Sequence, residues 1–316
     1  MPNLGKTTIE VTPLCLGGNV FGWTMDEHDS FKVLDAYVGE NGNFIDTADV
    51  YSAWAPAHHG GESEAILGNW IRDRHNRSHV VIATKVGMLN NKGRGSDLSR
   101  AHILHAVDAS LHRLRTDYID LYFAHADDEE TPLEETLGTF ADLVQAGKVR
   151  AIGASNYSAA RMAEAQSICE QYGYPRFEAQ QPLYNLLRRD AYEGELAQFC
   201  VEQQIGVVTY SSLASGFLTG KYRKGQELPR TKRAESVHQR YWNEKDFALL
   251  DLVDQVALQY NATPAQIALA WLLTRSGVSA PIASATSVEQ TRELMDTLDL
   301  KLDTPALNML DPVGAK

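Results

Sequence analysis

The run Val80-Val81-Ile82-Ala83-Thr84-Lys85 is apolar and β-branched, lacks polar alternation, and ends on an ammonium. A strand that is apolar on both faces belongs in a sheet covered on both sides, which is the habit of parallel sheets. The signature recurs along the chain. The candidate strands are Pro13–Gly18, Asn43–Asp46, His79–Thr84, Tyr118–His125, Val149–Ala154, Arg176–Gln181, Gly206–Ser211 and Ser279–Ser284. Helical segments lie between them. Thr131-Pro132-Leu133-Glu134 predicts a cap, a proline at the first helical position and an acidic first turn. Leu133, Leu137, Phe140, Ala141 and Val144 then share one face until Gly147 stops the helix. Thr263-Pro264 opens a second helix in the same way, with Ile267, Ala270, Trp271 and Thr274 at helical spacing. Ser99 is expected to cap a helix carrying Ile103, Val107, Ser110, Leu111 and Leu114, and a further helix runs from Lys245 to Tyr260.

Strand followed by helix, eight times over, fits an open doubly wound sheet or a closed barrel. The count of eight, the length of 316 residues and the lack of a Pro/Gly-rich linker favour one (β/α)8 TIM barrel domain over residues 1–316. Two long segments break the rhythm, at about 49–61 and 214–243. They are expected as loops after strands two and seven, on the face where barrels bind ligands.

The composition narrows the function classes. A 44% hydrophobic and 22% charged chain is that of a globular protein. With 29 basic and 41 acidic residues, the net charge of -12 argues against nucleic acid or an anionic membrane as partner, although Arg230, Lys232, Arg233 and Arg240 form a local basic cluster. Cys15, Cys169 and Cys200 are too scattered for a disulfide framework or zinc knuckle and suit a reducing cytoplasm. The first residues lack the apolar core of a signal peptide, and no apolar run is long enough to span a bilayer. The sequence carries no signal for oligomeric state.

Chemistry is sought at the strand ends, where barrel active sites are assembled. Strand two ends at Asp46 with Tyr51 five residues on; strand three ends on Lys85; strand four ends on His125. Neighbouring strands would bring a carboxylate, a phenol, an ammonium and an imidazole together. An ammonium beside the phenol is expected to lower its pKa, a carboxylate to keep the ammonium charged, and an imidazole to position a substrate oxygen. Such a group protonates a developing alkoxide, the need of carbonyl reduction, but it has no hydride donor and requires a nicotinamide cofactor. Asp49, between the acid and the phenol, has no assigned role. Competing motifs fail. No G-x-G-x-x-G follows a strand, the Gly216–Tyr222 run lacks the spacing of a phosphate loop, and His58-His59 with Glu62 has no zinc-protease spacing, so no metal is expected.

Asp46-Thr47-Ala48-Asp49-Val50-Tyr51, Gly61-Glu62-Ser63-Glu64-Ala65-Ile66-Leu67-Gly68, Ala83-Thr84-Lys85, Asp117–Tyr122, Gly147–Asn156, Tyr184–Leu187 and Tyr210–Tyr222, in that order, resemble the aldo-keto reductase family over almost the full chain. The resemblance implies a catalytic tetrad of Asp46, Tyr51, Lys85 and His125, with Tyr51 as general acid. It also implies a cofactor site. Ser155, Asn156 and Gln181 would hold the nicotinamide carboxamide, Tyr210 would stack on the ring, and Gly18 and Asn19 would touch the nicotinamide side, beside Asp46. Ser211, Leu213, Ser215, Gly216 and Lys221 would cradle the pyrophosphate under Arg233, and Ser284, Thr286, Gln290 and Glu293 would bind the adenosine end. Thr286 stands where the family often has an Arg for the 2'-phosphate, and Leu294 replaces an Asn that usually touches adenine. NADP(H) is the expected cofactor, with charge from Arg292 or Arg233, and NAD(H) is the alternative. The expected substrate is a small carbonyl compound or alcohol. The rival expectation is a cofactor-binding regulatory subunit with slow turnover, like the potassium-channel β subunits.

Overall fold

The computed structural model describes residues 1–89 and 95–314. Eight parallel strands close into a barrel in sequence order, each hydrogen-bonded to the next and the last to the first. They are β1 Cys15–Gly17, β2 Phe44–Asp46, β3 Val81–Val86, β4 Ile119–Ala124, β5 Val149–Ser155, β6 Phe177–Gln181, β7 Gly206–Thr209 and β8 Val278–Ala283. The helices are α1 Glu27–Gly39, α2 Glu62–Arg74, α3 Arg100–Leu114, α4 Leu133–Gln145, α5 Ala159–Tyr172, α6 Glu195–Gln203, α7 Ala234–Tyr241, α8 Glu244–Tyr260, α9 Pro264–Leu273, α10 Val288–Asp296 and α11 Thr304–Gly314. The eight expected strands are therefore present, with ends displaced by at most two residues. The displacement that matters is in β3, which runs on through Lys85 to Val86 instead of ending at Thr84.

The period of two along a strand separates two apolar clusters. Cys15, Phe44, Val81, Ala83, Leu121, Phe123, Ala151, Ala179, Val208 and Ala280 fill the lumen, with Leu4, Ile9 and Val11 from the N-terminal segment. Alternate residues such as Ile45, Ile82, Tyr122, Ile152 and Val207 pack outward against the helices. The lumen is tight. A methyl added at Gly153 would lie 2.5 Å from the Phe123 ring, so this strand position must be glycine for the lumen to pack. Residues 2–11 fold back on themselves, with Leu4 N–H donating to Ile9 and Val11 N–H to Pro2, and plug the floor. Access to the barrel interior is left at the C-terminal ends of the strands.

Two expected caps are corrected. Pro132 is the N-cap residue of α4 and no side chain caps that helix, because the Thr131 hydroxyl donates to Asp128 at 2.6 Å instead. Ser99 stands at the N-cap of α3, but its hydroxyl makes no capping bond. The Thr263-Pro264 start is as expected, a capping box closed by Gln266. The 214–243 segment is no simple loop, since it holds a 3-10 stretch at Ala214–Thr219 and then α7. The 49–61 segment does lack regular structure. Among the described residues no helix is long and apolar enough to cross a membrane.

Candidate active site

Strand parity brings the site together. Asp46 lies two residues after lumen-facing Phe44, Lys85 two after Ala83, and His125 two after Phe123; Gln181 and Tyr210 likewise follow Ala179 and Val208. Every one of these side chains inherits the inward direction of a packed lumen residue. The Lys85 ammonium is fully buried and spends its three donors on Asp46 Oδ2 at 2.8 Å, the Thr47 carbonyl at 2.7 Å and Tyr51 Oη at 2.9 Å. Tyr51 Oη in turn donates to Asp46 Oδ2 at 3.0 Å, and Gln181 Nε2 donates to Asp46 Oδ1 at 2.9 Å. The Thr47 carbonyl was not foreseen as a partner, because a main-chain acceptor leaves no trace in residue type.

The electrostatics correct one expectation. Lys85 was expected to lower the Tyr51 pKa, yet burial and then the Asp46 carboxylate push the phenol well above its ordinary value. Asp46 accepts the phenolic hydrogen, so the neutral phenol is the favoured form and Tyr51 rests as an acid with its proton in place. His125 is shifted the other way: burial, and then Lys85, push its imidazole well below the usual value, which leaves it neutral at neutral pH. Its Nδ1 is buried without a hydrogen-bond partner, and its ring lies 6.3 Å from that of Tyr51, edge-on.

The remaining expected site residues form three groups around the mouth. In the first, Ser155 Oγ donates to the Gln181 carbonyl, Asn156 Nδ2 to the His125 carbonyl at 3.1 Å, and Tyr210 Oη to Asn156 Oδ1 at 2.8 Å. Asn156 reaches this position with φ at 60°. In the second, Ser211, Ala214, Ser215 and Gly216 all take positive φ, which turns the chain sharply above β7 beside Lys221. Arg233 is half-buried and Lys221 exposed, neither has an acidic partner among the described residues, and desolvation lowers the pKa of both. Leu213 lies within this turn, and Arg233 lies over the Trp23 ring at 5.3 Å. In the third, Ser284 donates to Asn19 Oδ1 at 2.8 Å just beyond Gly18, and Gln290 accepts from the Thr286 N–H and hydroxyl. Glu293 is drawn off to Thr263 at 2.6 Å, Arg292 pairs with Glu40 at 3.4 Å, and Leu294 is buried. Trp23, Trp54 and Tyr51 meet edge to face, with ring centroids 5.5 and 6.0 Å apart.

Asn185, within the Tyr184–Leu187 stretch of the resemblance, was given no role there. It is fully buried, donates to the Ser211 carbonyl, and accepts from the Leu187 and Arg188 N–H groups, which ties the β6 loop to the turn above β7. Glu62, weighed as part of a metal site, instead accepts the His59 and Gly60 N–H groups at the head of α2.

A buried Lys–Asp pair bonded to a tyrosine, beside a histidine at the mouth of an eight-stranded barrel, is matched by the sequence comparison. The model of the Aldo/keto reductase family fits residues 13–315. The chain belongs to this family. Among its aldo/keto reductase relatives is a Bacillus subtilis protein named as an uncharacterized oxidoreductase, 34% identical over 98% of this chain and 94% of the relative. A probable voltage-gated potassium channel subunit beta of Arabidopsis thaliana is 34% identical over 94% of this chain and 90% of its own length. An aldo-keto reductase of Alternaria alternata is 34% identical over 95% and 87%. Family membership makes the protein an oxidoreductase of the NAD(P)H-dependent, carbonyl-reducing kind.

Proposed function

We propose that the protein reduces an aldehyde or ketone to the alcohol, and runs the reverse reaction, with NADP(H) as cofactor and Tyr51 as general acid. The observation that carries this reading is the fully buried Lys85 ammonium, bonded at once to Asp46 and to the Tyr51 phenol. A bound nicotinamide supplies the hydride. Tyr51 supplies the proton to the carbonyl oxygen as negative charge grows there, and Lys85 stabilises the phenolate that remains. Asp46, fixed by Gln181, holds the Lys85 ammonium beside the phenol. Neutral His125 orients the carbonyl oxygen toward the phenol by hydrogen bonding.

The residues present fit a dinucleotide. Among the described residues Lys221 and Arg233 have no carboxylate partner, and they lie beside a turn of successive positive-φ residues, a concavity that suits phosphate oxygens. Ser211, Leu213, Ser215, Gly216, Lys221 and Arg233 would hold the pyrophosphate end. Ser155, Asn156, Gln181, Tyr210, Gly18 and Asn19 would hold the nicotinamide end, and Ser284, Thr286, Gln290 and Glu293 the adenosine end. Arg233 is the better source of charge for NADPH, since Arg292 is engaged by Glu40 at 3.4 Å. The three cysteines are free and buried, which suits a reducing compartment and supports the cytoplasm as its location.

The test is a panel of aldehydes and ketones with NADPH, followed at the cofactor absorbance band, with Tyr51→Phe alongside. Rapid multiple turnover that Tyr51→Phe abolishes, with cofactor binding kept, is the expected result; a variant retaining most of its rate would refute the assigned acid. The relatives named as potassium channel subunits favour a second reading, a cofactor-holding regulatory subunit. Cofactor retained for hours with negligible turnover would support it.

A further inference from the structure

Asp49 takes no part in the chemistry above, yet it is 2% exposed and lies on the segment that carries Tyr51 and Trp54. Its main-chain N–H docks that segment on β3, donating to the Lys85 carbonyl at 3.3 Å. Neither carboxylate oxygen meets a donor in hydrogen-bonding geometry, although the Val50 N–H beside it favours the ionised form. The groups that face Asp49 are Glu64 from α2, Arg113 from α3, Lys85 from β3 and Tyr122 from β4.

Their charges do not balance if Asp49 is ionised. Glu64 is fully buried and already consumes the guanidinium, accepting from Arg113 Nε and Nη2 at 2.7 Å each, while its other oxygen takes the Thr84 hydroxyl at 2.6 Å. Lys85 has no donor left, because all three are spent on Asp46, Thr47 and Tyr51. Tyr122 Oη is itself buried without a hydrogen-bond partner. Two buried carboxyl groups thus share one available cation, and the one left over is Asp49. A bare carboxylate in that position is costly, so the docked segment requires the neutral acid.

We propose that Asp49 is a positioning residue that latches the Tyr51 segment: docked while its carboxyl carries the proton, released when the carboxyl ionises and is drawn out to water. On release Tyr51 leaves Lys85 and Asp46, and turnover falls along an alkaline limb whose midpoint belongs to Asp49 and not to the phenol. Burial first, and Glu64 second, hold the Asp49 carboxyl well above the usual carboxylate range, with Arg113 and Lys85 opposing, which agrees with a limb on the alkaline side. This inference rests on Tyr51 being the acid of the proposed reaction only for its effect on turnover.

The experiment titrates the intrinsic tryptophan fluorescence of the purified full chain, without substrate, against pH. Trp54, 48% exposed and in edge contact with Tyr51, is the reporter, identified by loss of the signal in Trp54→Phe. The wild type should show one transition above neutrality, and kcat/KM for carbonyl reduction with NADPH should fall with the same midpoint. Asp49→Asn cannot ionise and should lose both the transition and the limb while keeping its neutral-pH rate. Glu64→Gln frees Arg113 for Asp49 and should lower the midpoint by about 1–3 pH units. No transition in the wild type, an undisturbed one in Asp49→Asn, or an unmoved midpoint in Glu64→Gln would overturn the latch. Should Asp49→Asn fail to fold, the Glu64→Gln midpoint decides alone. A transition that Asp49→Asn removes, in a protein that turns over no carbonyl, supports the latch and counts against the reductase reading.

Discussion

Asp46 and Asp120 are both 1% exposed, both sit on barrel strands, and both have a cation at 2.7 Å. Their surroundings give them different work. Asp120, near the start of β4, takes Arg77 on one oxygen and Arg150 on the other, and also caps the Ile82 N–H at 2.9 Å. Arg77 is itself spent on structure: it donates to the Val80 and Tyr118 carbonyls and to Thr116, and stacks on the Tyr118 ring at 3.8 Å. The partners in that cluster are guanidinium groups, main-chain groups and the Thr116 hydroxyl. Asp46, at the other end of its strand, shares its cation with a phenol. A buried carboxylate–cation pair is thus a strut or a reaction centre according to its third partner.

The sharpest way to break that comparison is to remove the third partner. Tyr51→Phe should lower kcat by about 10²–10⁴-fold, the usual contribution of a general acid, with the thermal unfolding profile little changed. Lys85→Met should cost turnover on the same scale, and either variant with a wild-type rate would place the reaction centre elsewhere. Asp120→Ala should do the reverse. It leaves two guanidinium groups with unmet bonds and should cost about 3 kcal/mol of stability in denaturant unfolding, while the folded fraction keeps its kcat. A large loss of kcat without loss of stability would erase the distinction between the two aspartates.

Lys221 and Arg233 extend the comparison to cations that have no carboxylate partner among the described residues. If they await phosphate, Lys221→Met should weaken NADPH about 10-fold, or about 1.4 kcal/mol, as expected for one charged hydrogen bond. NADPH should also bind more tightly than NADH; equal dissociation constants at moderate salt would remove the proposed preference.

The smallest effect concerns Asp49, an aspartate with no cation to itself. Its carboxyl is raised in the folded state, so the unfolded chain ionises first as pH rises from about 4. Folding then holds the extra proton, and stability drains away between the unfolded value and the raised folded value. The Tm of wild type should therefore fall relative to Asp49→Asn as pH rises through that window, and the two should agree below it.

Much of the frame was legible in the residues. Eight short β-branched or aromatic runs alternating with helical segments announced a parallel sheet, and the chemistry-bearing residues stood at or just past their ends. The strand ends themselves were read a residue or two off, because β3 continues past Thr84 through inward-facing Lys85 in hydrogen-bonded register with Phe123. Thr131 and Ser99 looked like caps on composition alone. In the fold the Thr131 hydroxyl finds Asp128, a carboxylate that a propensity argument does not see. The 214–243 segment was read as loop, yet Val237 and Tyr241 of α7 bury against the rest of the protein, and tertiary packing outweighs the polar character of that stretch.

The sequence by itself pointed to the barrel and to Asp46, Lys85 and His125 at its strand ends, through residue type at a strand period, and to the family through its ordered motifs. It could not determine the sign of the Tyr51 shift or the plight of Asp49. Both depend on how many donors remain once neighbours from other strands and helices have been served. Lys85 alone suggested an acidic phenol; the fold adds burial and an Asp46 oxygen at 3.0 Å, and the proton stays on. Asp49 alone was a spare carboxylate; the fold hands the nearby guanidinium to Glu64 and leaves Asp49 to solve its charge by keeping a proton.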